Sequence, residues 1–355
     1  MQRIQNIRSI LDEKQIDAIL VKSRSNKRYL NALTGSGVKV LVTRDELYQI
    51  MDGRYINEAR ETTSGFTLVV HEQGKSYLDE VVRILGKHAR IGIEAGQVLA
   101  KEYLSMQEYG FETVLLENEL EAARRIKDAQ EIALVRKACE ITDAIFQETI
   151  STIRIGMKET EVSALLQYLA IKNGASGMAF DTIVASGVRG SMPHGRPTEK
   201  TFEAHDFITI DFGITYQGYQ SDMTRTVCIQ EPKPQLKKIY DVVLQAQRAG
   251  VDFIRAGVKG KDVDAYVRGI IAEHGYGEYF THGLGHGMGM GDGELPMLNQ
   301  SSETVLEEGM IMSCEPGIYV PQVGGVRIED DVLIENGRGV PLNTTTKELI
   351  ILEGN

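Results

Sequence analysis

Residues 281–296 read THGLGHGMGMGDGELP, and every odd position from 283 to 293 is glycine. The even positions carry side chains, among them His282, Leu284 and His286. A period of two is one face of an extended chain. Glycine on the other face lets a second backbone come close. The pattern predicts that His282, Leu284 and His286 point the same way. A phosphate-binding glycine loop needs a strand before it and a helix after it, and DGELPMLNQSS has no helical pattern. A flexible linker is a poor fit too, because Leu284, Met288 and Met290 are large and apolar.

Acidic residues stand in similarly apolar company. The segment ITIDFGITYQGYQSDMTRT holds Asp211 and Asp222. A hairpin turning at residues 216–217 makes them direct cross-strand partners, with Cβ atoms about 5 Å apart, and Gly218 then suits a bulge after the turn. Two carboxylates at that distance repel unless a cation lies between them; a pair of surface aspartates is the plain alternative. Glu315 in MIMSCEPGIYV and Glu329 in GGVRIEDDVLI lie in otherwise apolar strands, where an acid is costly unless paired or coordinated. Four carboxylates and the imidazole of His286 make an oxygen-rich set suited to Mn²⁺, Co²⁺ or Zn²⁺. Two divalent ions balance four negative charges, and paired metals about 3.5–4 Å apart serve hydrolysis.

With 355 residues and a net charge of −11, the chain is long enough for two domains. Its acidity argues against nucleic acid or an anionic membrane as partner. Cys139, Cys228 and Cys314 are odd in number and far apart, as expected of reduced, buried thiols in a cytoplasmic protein. The N-terminal stretch is amphipathic and no apolar run reaches membrane length.

The first part alternates: helix 3–14, strands at Ala18–Val21, 38–42, Leu47–Met51 and Thr67–Val70, helix 76–87, strand 90–93, helix 97–109. This predicts an α/β domain over residues 1–121. A long helical pattern begins near Glu119 and continues past residue 146. Over residues 122–355 strands and helices are grouped, with helices at 159–172, 234–254 and 261–274, which predicts α+β with a mostly antiparallel sheet.

DFGITYQGYQSDMTRT, THGLGHGMG, EPGIY and GGVRIEDD, in this order and spacing, resemble the proline-specific metallopeptidases of the pita-bread fold, the prolidases (Xaa-Pro dipeptidases) and aminopeptidase P. SMPHGRPTEK resembles their substrate-side histidine segment, and NKRYLNALTGSGVKVLVT their first domain. The resemblance implies a pita-bread domain over 122–355 that hydrolyses Xaa-Pro bonds in short peptides. It implies two divalent ions, manganese first and cobalt or zinc otherwise, held by Asp211, Asp222, His286, Glu315 and Glu329. Glu315 doubles as general base, His194 and His282 contact substrate, and Thr224 and Arg327 orient the ligands. It also implies a homodimer. His71, His88, His205 and His274 match nothing functional. Gly293 departs from the pattern: the family has a histidine there that polarises the scissile carbonyl. Losing such a donor costs about 10²–10³ in rate, so altered or reduced turnover is expected. A metal-free creatinase-like amidinohydrolase is the rival enzyme, disfavoured by the intact ligand set. A non-catalytic peptide-binding module is the rival outside enzymology.

Overall fold

A computed structural model describes residues 2–291 and 294–355. It divides into two compact units, Met1–Arg124 and Arg125–Asn355. Among the described residues no helix is long and apolar enough to cross a membrane.

The first unit runs α1 (Gln2–Glu13), β1 (Ala18–Val21), α2 (Arg24–Tyr29), β2 (Lys39–Thr43), β3 (Leu47–Met51), α3 (Ile56–Thr62), β4 (Thr67–Val70), α4 (Tyr77–Leu85), β5 (Arg90–Glu94), α5 (Ala100–Glu108), β6 (Glu112–Leu116) and α6 (Glu119–Arg124). Its six strands form one mixed sheet in the order β4-β3-β2-β1-β5-β6. The pairs β1–β2 and β2–β3 are antiparallel, and β1–β5, β3–β4 and β5–β6 are parallel. Helix α4 shows how sequence sets its ends: Ser76 caps its first turn, and Gly86, with φ 82°, closes it. Helices α2 and α3 lie in stretches where the sequence gives no helical period. They are short, and Ser23 caps the first of them.

The helical pattern around residues 119–150 is two helices, not one. After α6 the backbone is interrupted at residues 125–128, and α7 (Ala129–Ile150) starts afresh from an N-cap at Asp128. Asp128 and Glu131 form a reciprocal capping box. Lys127 N–H donates to Gly309 O, and its Nζ lies 3.2 Å from Glu294 Oε2 in a fully buried ion pair. Apolar periodicity passes through such a break unchanged; the cap is what ends it.

The second unit continues with α8 (Glu159–Lys172), β7 (Gly177–Met178), β8 (Ile183–Ser186), β9 (Phe207–Phe212), β10 (Ile214–Tyr216), β11 (Tyr219–Gln220), β12 (Met223–Ile229), α9 (Pro234–Phe253) and α10 (Gly260–Glu273). Then follow β13 (Gly285–Gly287), β14 (Glu294–Leu298), β15 (Ile311–Cys314), β16 (Gly317–Val320), β17 (Gly324–Arg327), β18 (Asp330–Glu335), β19 (Arg338–Pro341) and β20 (Ile351–Leu352). Two sheets dominate, β20-β12-β9-β8 and β14-β13-β15-β18-β19. Among the described strands of this unit only β12 with β20 is parallel. Residues of α7 and α8 share one apolar core with the first sheet, through Phe146, Leu166, Ile210 and Val227. Residues of α9 and α10 share another with the second, through Val243, Val267, Met312 and Val332. Each half is a helix pair on a mostly antiparallel sheet.

Candidate metal centre

Asp211 sits on β9 and faces Thr224 of β12 in direct register. The hairpin beyond it turns at Gln217 and Gly218, whose φ angles are 45° and 88°. A two-residue turn of this hand needs positive φ at both positions. Gly218 therefore occupies the turn and not a bulge after it, and the turn lies one residue later than the sequence suggests. Asp222 is thus not opposite Asp211; two residues before Thr224, it is a diagonal neighbour. The carboxylates meet nevertheless. Oxygens of Asp211, Asp222 and Glu329 all lie within 4.8 Å of one another.

The second sheet supplies the other groups. His286 is the middle residue of β13, Glu315 follows β15, and Glu329 precedes β18. His286 Nε2 lies 3.7 Å from Asp222 Oδ2 and 3.6 Å from Glu315 Oε1. The alternating glycines allow this approach. A Cβ on Gly285 would stand 2.1 Å from Ser313 O, and one on Gly287 2.3 Å from Leu295 O. The period-two expectation holds only in part. His282 and His286 line the cleft while Leu284 is fully buried in the core, and the pairing of β13 with β14 shifts register between Gly285 and Gly287.

A cleft of about 520 Å³ gathers these side chains: Asp211, Asp222, His286, Glu315 and Glu329 all line it, as do His194 and His282. His71, His88, His205 and His274 do not. Gly293 lies outside the described residues.

The electrostatics call for cations. Burial, partly offset by Arg327, raises the Asp211 pKa. Burial and the neighbouring charges of Glu329 and Asp211 push Asp222 well up, and burial with Glu315 and Asp211 does the same to Glu329. Asp211 Oδ1 and Asp222 Oδ1 are buried without a hydrogen-bond partner, although buried carboxylate oxygens are normally satisfied. Orphaned carboxylate oxygens beside an imidazole are a donor set that fits hard or borderline divalent metals.

The description of metallopeptidase family M24 fits residues 133–336, and that of the Creatinase/Prolidase N-terminal domain fits residues 3–126. The chain belongs to metallopeptidase family M24. Among its relatives, an Xaa-Pro dipeptidase of Pyrococcus horikoshii is 38% identical over 98% of this chain and 99% of its own. The structure of an Xaa-Pro dipeptidase from Bacillus anthracis superposes with TM-score 0.94 at 41% identity, covering 99% of both chains. That of an X-Pro aminopeptidase from Thermotoga maritima gives TM-score 0.89 at 34% identity, covering 98% of this chain and 99% of the other. This M24 peptidase has the two-domain creatinase-like architecture, with a pita-bread second domain.

Behind the candidate ligand set of the M24 cleft stand Arg327 and Thr224, expected there from the resemblance, and Tyr319, Ser313 and Asp331, which no sequence reading brings forward. Arg327 Nη2 donates to Asp211 Oδ2 at 2.5 Å, and its Nε donates to Thr224 Oγ1, which itself donates to Glu329 Oε2 at 2.5 Å. Thr224 and Arg327 thus sit where they orient acids, and Tyr319 extends the set. The Tyr319 hydroxyl accepts from Arg327 Nη1 and lies 2.8 Å from His282 Nε2. His282 Nδ1 lies 2.7 Å from Gly283 O. A consistent assignment places the imidazole proton on Nδ1, with Nε2 accepting from Tyr319. Burial lowers the His282 pKa, which agrees with a neutral ring. Ser313 Oγ accepts from His286 N–H and donates to Glu315 Oε1. Asp331, with its pKa raised to about 7 by burial, accepts from Asp222 N–H and from the Cys139 thiol. Tyr319 follows directly on EPGI, and Asp331 doubles the acid of EDD; those were the available signals.

Proposed function

We propose that this M24 peptidase hydrolyses Xaa-Pro bonds of short peptides with two divalent ions, manganese first and cobalt or zinc otherwise. Asp211, Asp222, His286, Glu315 and Glu329 would hold the ions. The observation that carries the reading is the meeting of these five side chains in one cleft with two buried carboxylate oxygens unpartnered. Relatives named Xaa-Pro dipeptidase, 37–41% identical along nearly the whole chain, support the substrate class.

When bound, the ions would supply Lewis acidity toward the scissile carbonyl and lower the pKa of water. The remaining work falls to side chains. Glu315 is oriented through one oxygen by Ser313. Its carboxylate can take a proton from the attacking water and hand it to the proline nitrogen, as a general base and then acid. His282, held neutral and fixed by Tyr319 and Gly283 O, offers a rigid imidazole face to the bound peptide. His194, exposed at the rim, is placed to contact the leaving side. Arg327 and Thr224 keep Asp211 and Glu329 in position, as groups behind metal ligands do. Proline gives a tertiary amide with no N–H, so the part of its subsite around the ring can be set by shape. The same reading carries a homodimer in the cytoplasm; the three free, buried thiols suit a reducing compartment.

A panel of Xaa-Pro dipeptides and Xaa-Pro-Yaa peptides, assayed with Mn²⁺, Co²⁺ and Zn²⁺, tests the proposal. Turnover with at least one metal, and about two ions per chain at saturation, are expected. Metal bound without turnover on any of these peptides would favour a binding module, the reading for which Gly293 speaks.

A further inference from the structure

Two side chains of permanent positive charge line the cleft among the described residues, Arg327 and Arg196. Arg327 is buried and already donates to Asp211, Thr224, Tyr319 and the carbonyl of Pro193. Four of its five N–H donors are taken by the protein, and its charge is spent on Asp211. Arg196 is the opposite. Its side chain is 76% exposed, and it is ion-paired at 2.6 Å with Asp181, itself 74% exposed. Water competes strongly for such a pair, so its guanidinium is available for exchange.

The backbone beneath that guanidinium is held firmly. Arg196 O accepts from Arg189 Nη2 at 2.7 Å, and Arg189 Nε donates to Glu159 Oε2 at 3.1 Å. Glu159 is fully buried. It also accepts from the N–H and hydroxyl of Ser186 and from those of Thr198, two residues past Arg196. On the other side Pro193 O is held by Arg327. The chain thus presents a movable planar cation from a fixed point on the wall of a cleft whose floor is acidic.

We propose that Arg196 anchors the C-terminal carboxylate of a dipeptide substrate and is a specificity-determining residue for this reaction. The assignment rests on the peptidase reading above. A free carboxylate entering an acid-floored cleft needs a cation, and among the described lining residues the accessible one is Arg196. The guanidinium fork matches a carboxylate bidentately. A zwitterionic dipeptide carries its amine and carboxylate only about 7 Å apart when extended. Its amine turns to the acids and its carboxylate to Arg196. A longer peptide places a neutral amide at this point and loses the contact.

Kinetics on Ala-Pro and Ala-Pro amide with the manganese-loaded enzyme test this. Arg196→Ala is expected to raise KM for Ala-Pro about ten-fold, with far smaller effects on kcat and on KM for the amide. Arg196→Lys, which keeps the charge and loses the fork, should fall between. Both variants keep the carbonyl that Arg189 holds, so the segment stays pinned. Equal effects on acid and amide, no effect on either, or a fall in kcat alone would overturn the anchor while leaving the peptidase intact. Hydrolysis of neither compound by the unaltered enzyme would end the Xaa-Pro reading and the anchor together.

Discussion

The floor of the cleft and its rim are built on opposite principles. On the floor, Asp211, Asp222, Glu329 and Arg327 are buried, close, and fixed by hydrogen bonds from side chains distant in sequence. At the rim, His194, Arg196 and Asp181 are exposed, and only the backbone beneath them is fixed. A floor of this kind tolerates no vacancy, because each buried charge is balanced by a named neighbour or waits for a cation. A rim of this kind can change what it recognises without disturbing the fold. On the proposed function the floor serves chemistry and the rim selection, and substitutions on each side should separate in the same way.

The largest effect is expected at the floor. Asp222→Asn keeps the shape and removes one of the charges that call for a cation. Metal content per chain, read by elemental analysis after dialysis, should fall, and turnover of an Xaa-Pro dipeptide should fall about 10³-fold or more. Unchanged metal content and rate would remove Asp222 from the centre. Next comes Arg327→Met, which leaves Asp211 buried without its cation. Breaking one partner out of a buried pair costs about 3–5 kcal/mol. Calorimetry should show that loss in chelator and a smaller one with saturating Mn²⁺, since the ion supplies positive charge beside the same carboxylate. Equal losses in both conditions would mean that no ion binds at Asp211.

How far these features are legible in the sequence follows from the range of the interactions. Acids in apolar strands and alternating glycines are local signals, and they pointed to the groups that meet in the cleft. Counting from the two aspartates puts the turn one residue early, and so the partner of Asp211 two residues early, because it leaves out that Gln217 and Gly218 both take positive φ. The break before α7 was legible in DAQE, a capping-box pattern, but apolar periodicity drowned it. The Lys127–Glu294 pair, the hydroxyl of Tyr319 between Arg327 and His282, and the Asp331 bond to Asp222 N–H join residues whose proximity no local pattern encodes. Likewise the sequence shows no repeat, yet the second unit is two similar helix-on-sheet halves, because each half needs only matching apolar faces and not matching residues.

Gly293→His probes whether catalysis rests on the floor alone. If the centre lacks a donor to the developing oxyanion, restoring an imidazole should raise kcat/KM on an Xaa-Pro dipeptide about ten-fold or more. A flat or lower value would show that the cleft has adapted to glycine, and that the peptidase does not depend on a side chain at this position.

The smallest effect is expected from Glu159→Gln, which loosens the rim and leaves the floor untouched. Glutamine keeps the volume, but its amide NH₂ would face donors at one of the two carboxylate oxygens, where Ser186, Arg189 and Thr198 now converge. Losing those bonds in a buried place costs about 1–3 kcal/mol, to be read as a drop in Tm. The backbone under Arg196 would lose part of its support, so KM for a free dipeptide should rise about three-fold while kcat changes less than about two-fold, the size expected of a weakened charged hydrogen bond. A fall in kcat at constant KM would place this segment in the chemistry itself, through His194, and the division between floor and rim would have to be redrawn.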